Sequence, residues 1–217
     1  MTIHKALALS ALIALTLVRQ AAAQCAPACD PCEVCNTVSN TCEVPQTLGC
    51  AVTPTHKSSI VIKKGLVASN DVLVWKWLSP APITLAGFGD PLLTTNYTLC
   101  VSDDTGGAPH LLLSSTAPAA SHCHGGSCWA AFNSHYRYVD RGAQNGGWVK
   151  IVLTTGAANR AKIFAKAEGV NLGLPAPPYT LPVTIRFLRQ DSPTCFEATY
   201  TTGAKYDDVA RFKAHSD

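Results

Sequence analysis

The sequence predicts an all-β protein: a β-sandwich or jelly-roll-like domain built from two similar four-stranded halves, preceded by a small disulfide-rich module. Three observations carry this expectation. Apolar residues recur with a period of two in short segments, and no sustained 3.6-residue stripe competes with them. The stretch Trp148 to Gly169 reads as two alternating strands around a Gly/Asn turn, and Ser59 to Trp77 repeats that plan more faintly. Finally, six cysteines crowd into Cys25 to Cys50, far more densely than a hydrophobic core needs.

Taken in order, residues 1–23 have the form of a cleaved secretion signal: Lys5, an apolar run from Ala6 to Val18, then Ala21, Ala22 and Ala23. Such a run is too short to cross a bilayer core of about 30 Å at about 1.5 Å per residue. Export to the extracellular space or periplasm, with no transmembrane segment after cleavage, is therefore expected. Residues 24–50 follow as the cysteine-rich module. The oxidising compartment favours disulfides over a zinc site, with three bridges expected among Cys25, Cys29, Cys32, Cys35, Cys42 and Cys50. Residues 51–57, with Pro54, read as a linker.

From residue 58 to 217 the expected strands are Ser59–Lys63, Val72–Trp77, Tyr97–Ser102, His110–Ser114, Tyr136–Asp140, Val149–Thr154, Ala161–Lys166, Val183–Leu188 and Cys195–Thr201. Turn signals such as Asp104-Thr105-Gly106-Gly107 separate several of them. Each half carries a Pro-rich connection, Pro80 to Pro91 in the first and Pro175 to Pro182 in the second. This domain is expected to fold without the module. Of its four cysteines, Cys123 and Cys128 lie close enough in sequence for a local bridge, which leaves Cys100 to pair with Cys195 across the halves.

Candidate site residues are few. His122, His124 and His135 are metal-ligand types near one cysteine loop, able to hold zinc or copper if they converge and merely solvated if they do not. Asp103, Asp104 and Asp140 lie near Gly-rich turns of the kind that hold calcium. Otherwise no cofactor is implied. Asp140, Glu168 and Glu197 sit near strand ends, where a carboxylate pair could act in hydrolysis or serve only as surface and turn residues. Nucleophile-elbow, His-Glu-x-x-His and phosphate-loop motifs are absent. Trp75 and Trp77 share one face of a strand, either as an exposed platform for a sugar or as ordinary core.

Several motifs in residues 58–217 are similar to those of a set of uncharacterised exported proteins of environmental bacteria. They are FGDP at Phe88–Pro91, YTLCV at Tyr97–Val101, CW at Cys128–Trp129, YRYVD at Tyr136–Asp140, VTIRFL at Val183–Leu188, CFEATY at Cys195–Tyr200 and the closing FKAHSD at Phe212–Asp217. That group carries a Y-x-Y-x-D stretch and a terminal F-K-A-x-S-D. The resemblance implies export and brings no activity or catalytic residue with it. The N-terminal segment separately resembles small EGF-like or knot-like cysteine modules.

The charge balance narrows the partners. Removing Lys5 and Arg19 from the 17 basic residues leaves 15 against 14 acidic ones, with no Lys/Arg run, so nucleic-acid binding is not expected. Three functions fit: a non-enzymatic extracellular binding or structural module for a protein or glycan, a secreted metal-dependent or carboxylate-based hydrolase, or a cysteine-rich inhibitor.

Overall fold

A computed structural model of the chain describes Cys25 and residues 27–202 and 204–217; the expected secretion signal lies outside the described residues. The chain runs through β1 (Val34–Asn36), β2 (Thr41–Glu43), β3 (Ala51–Val52), β4 (Ser59–Lys63), β5 (Val72–Leu78), β6 (Tyr97–Asp103), β7 (His110–Ala117), β8 (His122–Cys123) and β9 (Gly126–Ser127). It continues through β10 (Trp129–Phe132), β11 (His135–Val139), β12 (Trp148–Thr154), β13 (Lys162–Glu168), β14 (Val183–Arg189), β15 (Cys195–Tyr200), β16 (Tyr206–Asp208) and β17 (Arg211–His215). Among the described residues the helical elements are short 3-10 turns, and none is long and apolar enough to cross a membrane.

Two sheets pack face to face. The larger has the order β10-β11-β12-β13-β5-β4-β17-β16 and the smaller β3-β15-β14-β6-β7. At the centre of the larger lies β12-β13-β5-β4, and in the smaller β15-β14-β6-β7. Exchanging β4–β7 for β12–β15 turns each of these orders into itself reversed. The two similar halves thus meet along β5/β13 in one layer and β6/β14 in the other. Beyond this centre the large sheet gains two strands on each side.

The core follows from alternation. Ile60, Ile62, Leu73, Trp75, Trp77, Ile151, Leu153, Ile163 and Ala165 point inward from the large sheet and meet Tyr97, Leu99, Val101, Ile185, Phe187, Phe196 and Tyr200 from the small one. Phe187 is the hub, stacked on Tyr97 at 4.9 Å and flanked by Trp75 at 6.1 Å and Trp148 at 6.4 Å. Each buried tryptophan also carries an N–H that needs an acceptor. Trp75 donates to the Tyr200 hydroxyl at 3.1 Å, Trp77 to the Glu197 carbonyl at 3.0 Å and Trp129 to the Pro118 carbonyl at 2.9 Å. Trp148 finds none among the described residues.

All ten cysteines are paired, but the expected partition is overturned. The module keeps only Cys25–Cys35 and Cys29–Cys42; Cys32 bridges to Cys100 and Cys50 to Cys195, and only Cys123–Cys128 forms as expected in the main domain. Neither a third bridge inside the module nor a Cys100–Cys195 bridge exists. The reason is orientation: Cys100 and Cys195 lie on the outer face of the small sheet, two strands apart, and the module lies over that face. The two crosslinks close 68- and 145-residue separations. On a chain-entropy model, loops of these sizes taken singly give about 4 and about 5 kcal/mol.

The expected linker is likewise part of the sandwich. Ala51 and Val52 pair in parallel with Phe196 and Glu197, and buried Thr53 donates to the Leu78 carbonyl at 2.9 Å. Arg186 seals the seam. It points outward from β14 yet is only 6% exposed, because the module covers it. Its guanidinium donates to the Pro45 carbonyl, to the Gln46 carbonyl at 2.8 Å and to the Glu197 carboxylate at 2.6 Å. The module and residues 58–217 thus share a seam, in which this cation takes two of its acceptors from the module.

Arg186→Ala should cost about 3 kcal/mol by stranding the Glu197 carboxylate in the seam, measured by denaturant unfolding. Peptide mapping of the unreduced protein should recover the Cys32–Cys100 and Cys50–Cys195 links; a third bridge within residues 25–50 would contradict this arrangement.

Burial also predicts the alkaline limit. Desolvation pushes the phenols of Tyr97, Tyr179, Tyr200, Tyr138 and Tyr136 above the ordinary tyrosine value. The unfolded chain releases these protons first, so their contribution is complete below about pH 10 and declines as pH rises toward the folded-state values. Tyrosinate absorbance should accordingly develop together with loss of β-sheet circular dichroism above about pH 10.

Candidate functional site

The residues singled out from the sequence do not assemble into one centre. His122 is exposed on β8, His135 stacks on Phe132 at 4.4 Å, and the His124 imidazole stands 3.7 Å from the Asp140 carboxylate. Among the described residues, the one group of three metal-ligand atoms within 4.8 Å of one another is Cys25, Cys29 and Cys42, all in disulfides. The three histidines are thus not gathered around an ion. Their sequence proximity misleads because they lie on β8, on its turn and on β11.

The acids are occupied by structural tasks. Asp140 is buried and accepts the Gly142 and Gln144 amides, each at 2.9 Å, which shapes the turn after β11. Asp103 does the same for Thr105 and for the Thr180 amide at 3.1 Å. Glu168 pairs with Lys166, and Glu197 with Arg186. No described cleft is lined by two of Asp140, Glu168 and Glu197. Nor do Trp75 and Trp77 form a platform: at 0% and 1% exposed they are core, with Val74 and Lys76 on the outer side.

That outer side is where cationic side chains gather. Because inward positions are apolar, the residues of opposite parity share the exposed face of the large sheet. They are Lys63 on β4, Lys76 on β5, Arg137 on β11, Lys150 on β12, Lys162 and Lys166 on β13, and Arg211 and Lys213 on β17. The register makes rows of them. Lys213, Val61, Val74, Lys166, Lys150 and Val139 lie opposite one another across six strands, and His215, Ser59, Lys76, Phe164, Val152 and Arg137 form the next row. Two acids share the face, Glu168 and Asp208, and they neutralise Lys166 at 2.6 Å and Arg211 at 3.3 Å. Lys63, Lys76, Arg137, Lys150, Lys162 and Lys213 have no ion-pair partner among the described residues.

Between the cations lie two depressions with apolar floors. One, of about 410 Å³, is lined by Lys57, Lys76 and Lys162 around Leu78 and Phe164. The other, of about 250 Å³, has Lys63, Arg211 and Lys213 around Val61 and Tyr206. Arg211 stands 4.3 Å from the Tyr206 ring and Lys150 5.8 Å from that of Phe164, so each floor has a cation at its edge.

The face carries an electrostatic cost. Lys150 is directly opposite Lys166, and Lys63 directly opposite Arg211. Like charges facing each other across strands destabilise a sheet. Sequence reasoning missed this surface because its cations come one or two at a time from six separate strands. A signal was present in Lys150, Lys162 and Lys166, which alternate with core residues.

No protein-family model, curated protein or solved structure matches the chain.

Lys150→Glu turns the like-charge pair opposite Lys166 into an attractive one. It should raise stability by about 0.5 kcal/mol at low salt, an increment that fades as salt is added. Thermal unfolding at two ionic strengths reads this directly.

Proposed function

We propose that the protein is a secreted, non-enzymatic binding module that docks on acidic glycans through the exposed face of its large sheet. The observation that carries the reading is the concentration of eight cations on one face, six of them without an ion-pair partner, around two apolar-floored depressions. Sugar rings present apolar faces that Phe164 and Tyr206 would pack against, while carboxylate or sulfate substituents would meet the lysine rims. A broad sheet face suits an extended polysaccharide chain better than duplex nucleic acid, which is read by a helix or ribbon entering a groove. Five disulfides and no free cysteine among the described residues are in keeping with an oxidising compartment outside the cytoplasm.

Binding should be electrostatic and therefore sensitive to salt. The protein should be retained on immobilised polygalacturonate or heparin and pass through neutral dextran. Lys76→Glu combined with Lys162→Glu should lower the eluting salt concentration severalfold without changing the thermal midpoint by more than a few degrees, since both side chains are exposed. Unchanged elution of that variant would remove the sheet face from the reading.

A further inference from the structure

Two unlike surfaces lie on opposite layers of the chain. On the N-terminal layer, the β1–β2 hairpin projects Val38, 96% exposed, with Val34 half exposed on the same hairpin. The hairpin is stiff. Cys35 and Cys42 stand opposite each other in its register and are bridged to Cys25 and Cys29. In the turn itself the Asn36 side-chain oxygen accepts the Val38 amide at 3.0 Å and the Ser39 amide at 3.3 Å, while the Asn40 amide donates to the Asn36 carbonyl at 2.8 Å. Val38 is thus held out in water by a turn that needs no further ordering to make a contact. A carboxylate lies beside it: Glu43 accepts from the Asn36 side-chain amide at 2.8 Å and from the Ser39 hydroxyl at 3.4 Å.

Each surface carries one sign of charge. Residues 25–56 contain Asp30, Glu33 and Glu43 and neither lysine nor arginine, and none of the three acids has an ion-pair partner among the described residues. Across the clefts that border the hairpin stand Arg189, paired with Asp191 at 3.1 Å, and His110, 3.5 Å from buried Asp103. On the opposite layer, the hollow of about 410 Å³ has Lys57, Lys76 and Lys162 around Leu78 and Phe164 and is lined by no acid. None of its three cations has an ion-pair partner among the described residues. The two acids of that face lie at the far end of the strands. Glu168 is opposite Val72, which is about 13 Å along β5 from Lys76, and Asp208 joins the same end through Arg211 and Lys63.

We propose that the β1–β2 hairpin of one copy docks into this hollow on a second copy. Val38 packs on Leu78 and Phe164 while Glu43 meets the lysine rim, so the apolar and the charged parts of knob and hollow match in kind. Pairing of like surfaces is disfavoured, because it would set cation against cation or acid against acid. Knob and hollow belong to different layers of the same chain, so the contact is heterologous: each docked pair still offers one free knob and one free hollow, and copies add head to tail in an open row. Docking uses the face assigned above to glycans but does not rest on that assignment.

Sedimentation velocity of the disulfide-bonded protein over a concentration series tests the proposal. At low salt the parent should form species larger than dimers that dissolve as salt is added. Val38→Lys brings a cation to the lysine rim and should weaken association by about tenfold or more, leaving the thermal midpoint and polygalacturonate retention as in the parent. Lys76→Glu with Lys162→Glu should weaken it as much from the other side. An equimolar mixture of these two variants joins one intact hairpin to one intact hollow and should give a dimer that grows no further. A parent that stays monomeric at low salt would overturn the docking, as would association indifferent to Val38→Lys or a mixture that yields only monomers. A parent that associates but passes through polygalacturonate would strike only the glycan reading, and one that is retained yet monomeric would strike only this inference.

Discussion

A sheet with one buried face obeys a strict rule: every second side chain must suit the core, and the others are left to water. Nearly everything in this protein depends on that rule. On β5 it sends Leu73, Trp75 and Trp77 inward, and on β13 Ile163, Ala165 and Ala167. The residues between them are then free of packing demands and can be chosen for charge. One constraint thus assembles the aromatic core around Phe187 and, on the reverse of the same strands, a row of lysines with almost no counter-charge. A one-residue slip in the register of β13 against β5 would put Lys162 and Lys166 into the core and Ile163 outside, so core and charged face are specified together.

The small sheet meets the rule differently. Its outward residues include Thr98, Cys100 and Arg186, all buried, because the N-terminal module serves as a third layer over them. Arg186 cannot be covered without acceptors, and the module supplies two carbonyls from Pro45 and Gln46, with Glu197 supplying the counter-charge. The inter-layer disulfides and this cation act on the same seam: Cys100 is paired in register directly opposite Arg186. The module is therefore a structural layer.

How much of this was legible depended on how local each determinant is. All nine expected strands of the main domain form within a few residues of their expected limits, because period-two alternation and Gly/Pro turns are local signals. β16 was not legible: Tyr206, Asp207 and Asp208 are all exposed and show no alternation. Nor were β1, β2, β8 and β9, two- and three-residue pairings in cysteine-rich segments where bridges rather than periodicity set the conformation. The facing of Trp75 and Trp77 was open in the sequence because Val72 and Val74 offer an equally apolar opposite side. What settles it is the layer beneath, where Phe187, Phe196 and Tyr200 receive the indoles. Cysteine pairing and the cationic face were both hidden for one reason: they are relations between strands distant in sequence, and neither spacing nor composition records which strands become neighbours.

The stacking of three layers has an electrical outcome. Residues 25–56 contain Asp30, Glu33 and Glu43 and neither lysine nor arginine, and they cap the side of the sandwich opposite the lysine rows. Charge is thereby separated across the layers, with eight cations on the outer face of the large sheet and three acids on the module. Any negatively charged surface exerts a torque on such a molecule before contact, turning the lysines inward and the cysteine-stapled module outward. Which side such a surface attracts is thus set by the separation of charge across the layers rather than by net charge.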